Sequence, residues 1–167
     1  NGSTELGGLP PIASNDPVLA WIWSLTATVQ MSVRLADRVE AANSLSALAL
    51  DSERNKKMIV DEGGIPPLLK LLNENNSLEA EIAAGNALYE IGNVEERVDG
   101  IVDCLGIGLI VKVLNNSRMN VQIRISNLLI RMLELSCYAK EAFVKENVIR
   151  PLVSLLSFET FDDDDIF

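Results

Sequence analysis

Apolar residues recur along this chain in a block of fifteen residues that occurs three times, at intervals of forty-two residues. The blocks span residues 59–73, 101–115 and 143–157. Their apolar positions match one for one: Ile65, Ile107 and Ile149; Leu68, Ile110 and Leu152; and Leu72, Leu114 and Leu156. A helical unit of this length is too small to bury its apolar face alone, so we expect the units to stack around one continuous core.

Apolar spacing and turn residues divide each unit into a short, a medium and a long helix. Gly63-Gly64 ends the first helix of one unit, and Asn73–Asn76 forms a turn before its third helix. The predicted helices span residues 55–62, 65–72, 78–91, 95–104, 107–114, 120–135, 138–146 and 148–156. Three helices per unit indicate an all-α, right-handed solenoid of the armadillo type rather than the two-helix HEAT type, with about three repeats, the last incomplete.

The N-terminal part departs from the repeat. Residues 1–14 are predicted to be an irregular lead-in, and Asn15-Asp16-Pro17 has the residues of a helix start. We expect a helix from about Pro17 to about Leu35, with Val33 on its apolar side, and a second from Asp37 to near Leu50. Residues 15–36 would then be a capping helix, 37–157 the repeats and 158–167 an acidic tail. Trp21 and Trp23 would either pack within the cap or dock a partner.

Composition narrows the classes of partner. The 167 residues are 48% hydrophobic, and 14 Lys and Arg against 24 Asp and Glu give a formal charge of −10. This balance disfavours nucleic acid and anionic membranes and suits either a basic partner or solubility alone. No signal peptide and no run of about 18 apolar residues is present, so we expect an intracellular protein. Because Asn1 comes first, we expect a piece of a longer chain.

The residues needed for catalysis or metal binding are scarce. Cys104 and Cys137 fall where the repeat predicts buried or half-buried side chains, and the chain has no histidine. A common zinc site, a Cys–His nucleophile and a Ser–His–Asp triad are therefore excluded. Asp162–Asp165 lacks the ligand spacing of a calcium loop and is predicted to be a solvated tail. We predict a non-enzymatic protein without cofactor or metal.

Equivalent third-helix positions hold the most informative polar residues. Asn43, Asn86 and Asn127 are in register, although asparagine is a poor helix former. Their amides would either satisfy backbone groups between repeats or hold the main chain of an extended peptide. The surrounding residues turn from acidic to basic along the groove: Glu40, Tyr89, Glu90, Arg124 and Arg131. At the other end, Phe158 and Phe161 would cover the open last repeat or mediate self-association.

The chain resembles known repeat families at specific positions. Ile59–Leu69 resembles the armadillo consensus, and the runs 15–23, 37–42 and 157–161 resemble the plant armadillo-repeat-only proteins. That resemblance implies a scaffold of Rho-type GTPase-linked polarity, cytoplasmic or at the cell periphery. The asparagines also resemble those of importin-alpha, whose accompanying tryptophans are replaced here by Val39, Ile82 and Ile123. An importin-like cargo adaptor, with a nuclear location, and a module of a larger ubiquitin ligase or immune receptor are the alternatives.

Overall fold

The computed structural model describes residues 15–74 and 77–146. The helices in this part of the chain are α1 (Pro17–Met31), α2 (Leu35–Asp51), α3 (Glu53–Asp61), α4 (Ile65–Leu72), α5 (Leu78–Ile91), α6 (Glu95–Asp103), α7 (Gly106–Asn116) and α8 (Met119–Leu135). Residues 137–146 are also helical. The bounds predicted for 65–72 and 78–91 are confirmed to the residue, and those of the other described repeat helices to within two residues.

The first helix is shorter than predicted. α1 ends at Met31, and Ser32 takes an extended conformation while its N–H donates to the Thr28 carbonyl oxygen. Val33 is 96% exposed instead of lying on the apolar side of a longer helix. α2 then begins at Leu35, so residues 32–34 form a turn that brings α2 back against α1.

Short polar side chains cap four of the described helices: α1, α3, α5 and the helix at residues 137–146. The Asp16 carboxylate accepts from the Val18 N–H at 3.1 Å, ahead of a proline at the first helical position. The hydroxyl oxygens of Ser52, Ser77 and Ser136 accept from N–H groups three residues on, at 3.0–3.2 Å. Each cap satisfies an N–H that the helix itself cannot pair.

The helices form two layers. α2, α5 and α8, the third helices of successive units, pack side by side, and α1, α4 and α7 pack behind them. Each pair α1–α2, α4–α5 and α7–α8 joins the layers. Residues at equivalent repeat positions fill the space between them, since Ile59 and Ile101, and likewise Leu68 and Ile110, are fully buried. Residues forty-two positions apart therefore occupy equivalent places in the core.

A glycine faces an isoleucine side chain where two of the third helices meet. Gly85 lies on the buried side of α5, and a Cβ atom there would lie 3.1 Å from Cδ1 of Ile125 on α8. Glycine therefore lets α5 and α8 approach more closely than alanine would. This spacing determines how near the exposed side chains of α5 and α8 come to one another.

A polar cluster joins α3 to the turn before α6. The Glu53 carboxylate accepts from Lys56 Nζ at 2.7 Å, from Asn93 Nδ2 at 2.6 Å and from Arg97. These donors, Lys56 first, lower the pKa of Glu53 from 4.5 to about 2. Arg97 also donates to the Ile91 carbonyl oxygen at the end of α5. The cluster thus ties three helices of neighbouring units together.

The prediction for the cysteines is wrong. Both Cys104 and Cys137 are exposed. Cys104 follows the last turn of α6 and Cys137 follows Ser136 at a helix start, so neither faces the core. Burial and the neighbouring Asp103 carboxylate nevertheless raise the pKa of the Cys104 thiol, because the sulfur is partly shielded from water. No helix among the described residues is long and apolar enough to cross a membrane.

Several predictions fall outside the described residues. They concern the lead-in at 1–14, most of the third apolar block at 143–157, Phe158, Phe161 and Asp162–Asp165.

Candidate functional site

The three asparagines lie on the solvent-facing side of the third-helix layer, which we call the third-helix face. Asn43 on α2 and Asn127 on α8 are exposed, and Asn86 on α5 is half-buried. The adjacent residues Ala42 and Leu128 are buried, so these helices have one buried side and one solvent-facing side. Because α2, α5 and α8 are adjacent, the three amides lie on neighbouring helices of one surface.

Two arginine side chains of α8 reach across to α5 and donate hydrogen bonds to it. Arg124 Nη1 donates to the Asn86 side-chain oxygen at 3.1 Å. Arg131 Nη1 donates to the Tyr89 carbonyl oxygen at 3.0 Å, and its guanidinium carbon lies 4.3 Å from the centre of the Tyr89 ring. The arrangement holds both guanidinium groups over the third-helix face by contacts with uncharged partners. It also brings together four of the residues predicted to form the site.

Between α2 and α5, the surface opens into a cleft of about 390 Å³, which we call the α2–α5 cleft. Leu35, Ala36 and Val39 provide apolar walls, and Glu40 and Asn43 come from the same helix. The α5 side contributes Ser77 and Glu79, the first being the cap of that helix. Glu79 was missed at the sequence level because it lies seven residues before Asn86, outside the mid-helix register of the asparagines. Its place in the first turn of α5 was the available signal.

Apolar side chains accompany the asparagines across the surface. Val39 and Ile82 are half-buried, while Ile123 is 59% exposed and Ile130 is 53% exposed. Ile130 was also missed, although its position three residues after Asn127 and two residues from Leu128 indicates the exposed side of α8. The third-helix face therefore offers apolar contact area beside each amide.

Charge is distributed unevenly over this face. Glu40 on α2 and Glu79 at the start of α5 line the α2–α5 cleft, and Arg124 and Arg131 lie on α8. None of these four forms an ion pair with another described residue, and neither does the half-buried Glu90. The described residues also contain no group of three or more histidine, cysteine, aspartate or glutamate side chains placed to hold a metal ion.

The two tryptophans lie on α1, outside the three helices that carry the asparagines. Trp23 is half-buried, whereas Trp21 is 53% exposed and lines a second cleft, of about 360 Å³, between α1 and α2. Glu40 borders this cleft as well as the α2–α5 cleft. Trp23 therefore packs partly into the cap, while Trp21 leaves half of its surface available.

Comparisons with known proteins identify the fold. Residues 52–82 match the family described as Armadillo/beta-catenin-like repeat. Crystal structures of two engineered proteins from the Northeast Structural Genomics Consortium are similar to this chain, each with a TM-score of 0.70 and 29% identity over 81% of this chain. A designed armadillo repeat protein in complex with the peptide (KR)4 gives a TM-score of 0.69 at 18% identity, again over 81% of this chain.

The matched part is shorter than these relatives. The chain spans 54% and 33% of the two engineered proteins and 56% of the designed armadillo repeat protein. None of the curated proteins matches it. The fold is an all-α, armadillo-type solenoid, as the helix lengths within each unit predicted.

Proposed function

We propose that this armadillo-type solenoid is a non-enzymatic scaffold that binds an extended segment of a partner protein along its third-helix face. The supporting observation is the presence of Asn43, Asn86 and Asn127 on the solvent-facing side of three adjacent helices. An extended peptide has unpaired N–H and C=O groups, and a side-chain amide can both donate to one and accept from the other.

The spacing of the helices suits a segment of several residues. Packed helices lie 8–10 Å apart, so three of them present amides over roughly 20 Å. An extended chain advances about 3.3 Å per residue, so a peptide spanning the three helices has about six residues between its outer contacts. Because the helices are ordered before binding, the protein loses little conformational entropy when the peptide binds.

The charges on the third-helix face favour one orientation of the ligand. Glu40 and Glu79 beside the α2–α5 cleft would attract the more basic end, and Arg124 and Arg131 the more acidic end. A segment of mixed charge would thus lie preferentially in one direction, because reversing it would place like charges together.

The resemblance to plant armadillo-repeat-only proteins extends this proposal to regulators of Rho-type GTPases at the cell periphery. Cargo transport of the importin-alpha kind is the second candidate, supported by the three asparagines. The residues at the positions of its tryptophans are Val39, Ile82 and Ile123. They can pack against an aliphatic stem but cannot form the cation–π contact that favours lysine, so we rank this function second.

A peptide selection tests the proposal. Random twelve-residue peptides displayed on phage are selected on the protein, and the dissociation constants of enriched peptides are measured by fluorescence anisotropy. Changing Asn43, Asn86 and Asn127 together to alanine is expected to weaken binding by about tenfold or more, since each hydrogen bond contributes about 0.5–1.5 kcal/mol.

The control variant carries three alanines at exposed asparagines off the third-helix face: Asn15, Asn115 and Asn116. It is expected to bind like the original protein. Equal affinity of both variants, with unchanged circular dichroism and melting temperature, would move the binding surface away from the asparagines and overturn the proposal.

We propose separately that the C-terminal end mediates self-association through Phe158 and Phe161. Light scattering after size exclusion is expected to give a dimer or larger species for the original protein and a monomer after Phe158→Ala with Phe161→Ala. A monomer in both cases would contradict this idea.

A further inference from the structure

Arg124 and Arg131 on α8 lie on either side of Asn127. They are seven residues apart, nearly two helical turns, so both project from the same side of the helix with about 10 Å between their backbone positions. Asn127 lies one turn from each. A peptide crossing α8 at Asn127 would therefore pass between the two guanidinium groups.

The two arginines differ in their partners from most of the other described arginines of this acidic chain, although Arg118 is also without an ion pair. Arg38, Arg54 and Arg97 each pair with a carboxylate. Arg124 and Arg131 form no ion pair with a described residue, although the chain has 24 acidic residues. Glu134, one turn along α8 from Arg131, is exposed and forms none either.

Their only described contacts leave most of their hydrogen-bonding capacity free. Each guanidinium has five N–H groups, and each uses one on an uncharged oxygen, that of the Asn86 side chain or the Tyr89 main chain. The Tyr89 ring supports the half-buried Arg131 from one side at 4.3 Å. These contacts hold the groups in place without neutralising them.

A fixed guanidinium is suited to a carboxylate, which it can bind through two parallel N–H···O bonds. We propose that Arg124 and Arg131, together named the arginine pair, bind the side-chain carboxylate of an aspartate or glutamate in the peptide where it crosses Asn127. This inference rests on the proposed peptide-binding function and specifies one residue of its ligand.

Two labelled peptides provide the test: (Glu-Ser)4 and its uncharged counterpart (Gln-Ser)4. The net charge of −10 repels the acidic peptide, so tighter binding of that peptide requires a local basic site. We expect (Glu-Ser)4 to bind at least tenfold more tightly in anisotropy titrations at low salt. The preference should shrink between 50 and 300 mM salt, as screening of exposed charges requires.

The double variant Arg124→Gln with Arg131→Gln is expected to abolish the preference and leave (Gln-Ser)4 binding in place. Arg118→Gln is the matched control, because Arg118 is an exposed arginine just before α8 without an ion-pair partner among the described residues. It changes the net charge without touching the arginine pair. Arg124→Lys with Arg131→Lys keeps the charge and is expected to retain only part of the preference.

The outcomes separate the two proposals. Equal binding of both peptides would overturn the role of the arginine pair and leave peptide binding intact. A preference that survives in the double variant, or that falls equally in Arg118→Gln, would also overturn it. Failure of both peptides to bind, together with failure of the phage selection, would overturn the proposed function itself.

Discussion

The same substitution, glycine to alanine, should have opposite effects at Gly106 and at Gly100, six residues away. Gly106 begins α7, directly after the turn that follows α6. A Cβ atom there would lie 2.5 Å from Cγ2 of Ile101 and 2.6 Å from the Ile101 carbonyl oxygen. Gly100 lies inside α6, and its Cβ would meet only the end of the Ile65 side chain, at 3.4 Å.

The magnitudes follow from these contacts. At Gly106 the clash involves a backbone oxygen that cannot move without distorting α6, and overpacking of this kind costs about 1–3 kcal/mol. Gly106 is the first residue of α7, where the helix-interior advantage of alanine does not apply, so a net destabilisation of about 1–3 kcal/mol is expected. At Gly100 the flexible side chain can move, so the helix propensity dominates and alanine should stabilise by about 0.5–1 kcal/mol.

Urea unfolding at 25 °C, followed by circular dichroism and by tryptophan fluorescence, measures both changes. In thermal melts we expect Gly106→Ala to lower the transition temperature by about 2–12 °C and Gly100→Ala to raise it, since 1 kcal/mol corresponds to about 2–4 °C at this size. Gly64→Ala is the repeat-equivalent check, because its Cβ would lie 2.8 Å from the Ile59 carbonyl oxygen.

Full stability of Gly106→Ala would refute the reasoning, since it would mean that α6 and α7 do not approach so closely. A loss at Gly106 with none at Gly64 would show instead that the two units do not share the same turn.

The remaining predictions concern a strained residue, a carboxylate and the thiols. Leu105 has a φ of 62° and is 83% exposed, where the equivalent Gly63 has a φ of 78°. Glycine at position 105 would remove the strain of the left-handed conformation but would lose more conformational entropy on folding. The net effect expected for Leu105→Gly is a stabilisation of about 0.5 kcal/mol, and a lower urea midpoint would contradict it. The folded-state pKa of Glu53 is lowered to about 2 from 4.5, so its contribution is present above pH 4.5 and lost as pH falls towards 2. The free energy of unfolding, measured by urea titration across that range, should therefore depend less on pH in Glu53→Gln than in the original protein. An equal pH dependence in both would exclude the polar cluster as its cause. Cys104 and Cys137 should both react with Ellman's reagent in the folded protein, with Cys104 requiring a higher pH because its thiol pKa is raised. Two thiols that react only after unfolding would contradict their exposure.

The order and bounds of the described helices follow from local chemistry and could be predicted. Apolar residues at helical spacing identify α4 and α5, and Gly64, Ser77 and Gly92 lie at their ends. The repeat period then places equivalent residues such as Ile59 and Ile101 in the core. These signals are contained within each segment or in its comparison with the next unit, so they do not depend on the surroundings.

The errors arise where the periodic pattern includes residues at helix ends. Val33 continues the apolar spacing of α1, yet the helix has already ended at Met31. Cys104 occupies a position expected to be at least half-buried, but it follows the last turn of α6 and faces solvent. A side chain beyond the last helical turn no longer follows the angular spacing of the helix, so periodicity does not predict its direction.

The repeat period and the local helix signals were enough to predict the stacking units, most helix bounds and the presence of the asparagines on the third helices. How those helices meet depends on their packing in three dimensions. Arg124 reaches Asn86 across 38 positions of sequence, and Arg131 reaches Tyr89 across 42. Glu79 likewise joins Glu40 at one cleft because α2 and α5 are packed together. Such contacts depend on the distance between two helices, and the packing of side chains on their buried faces sets that distance.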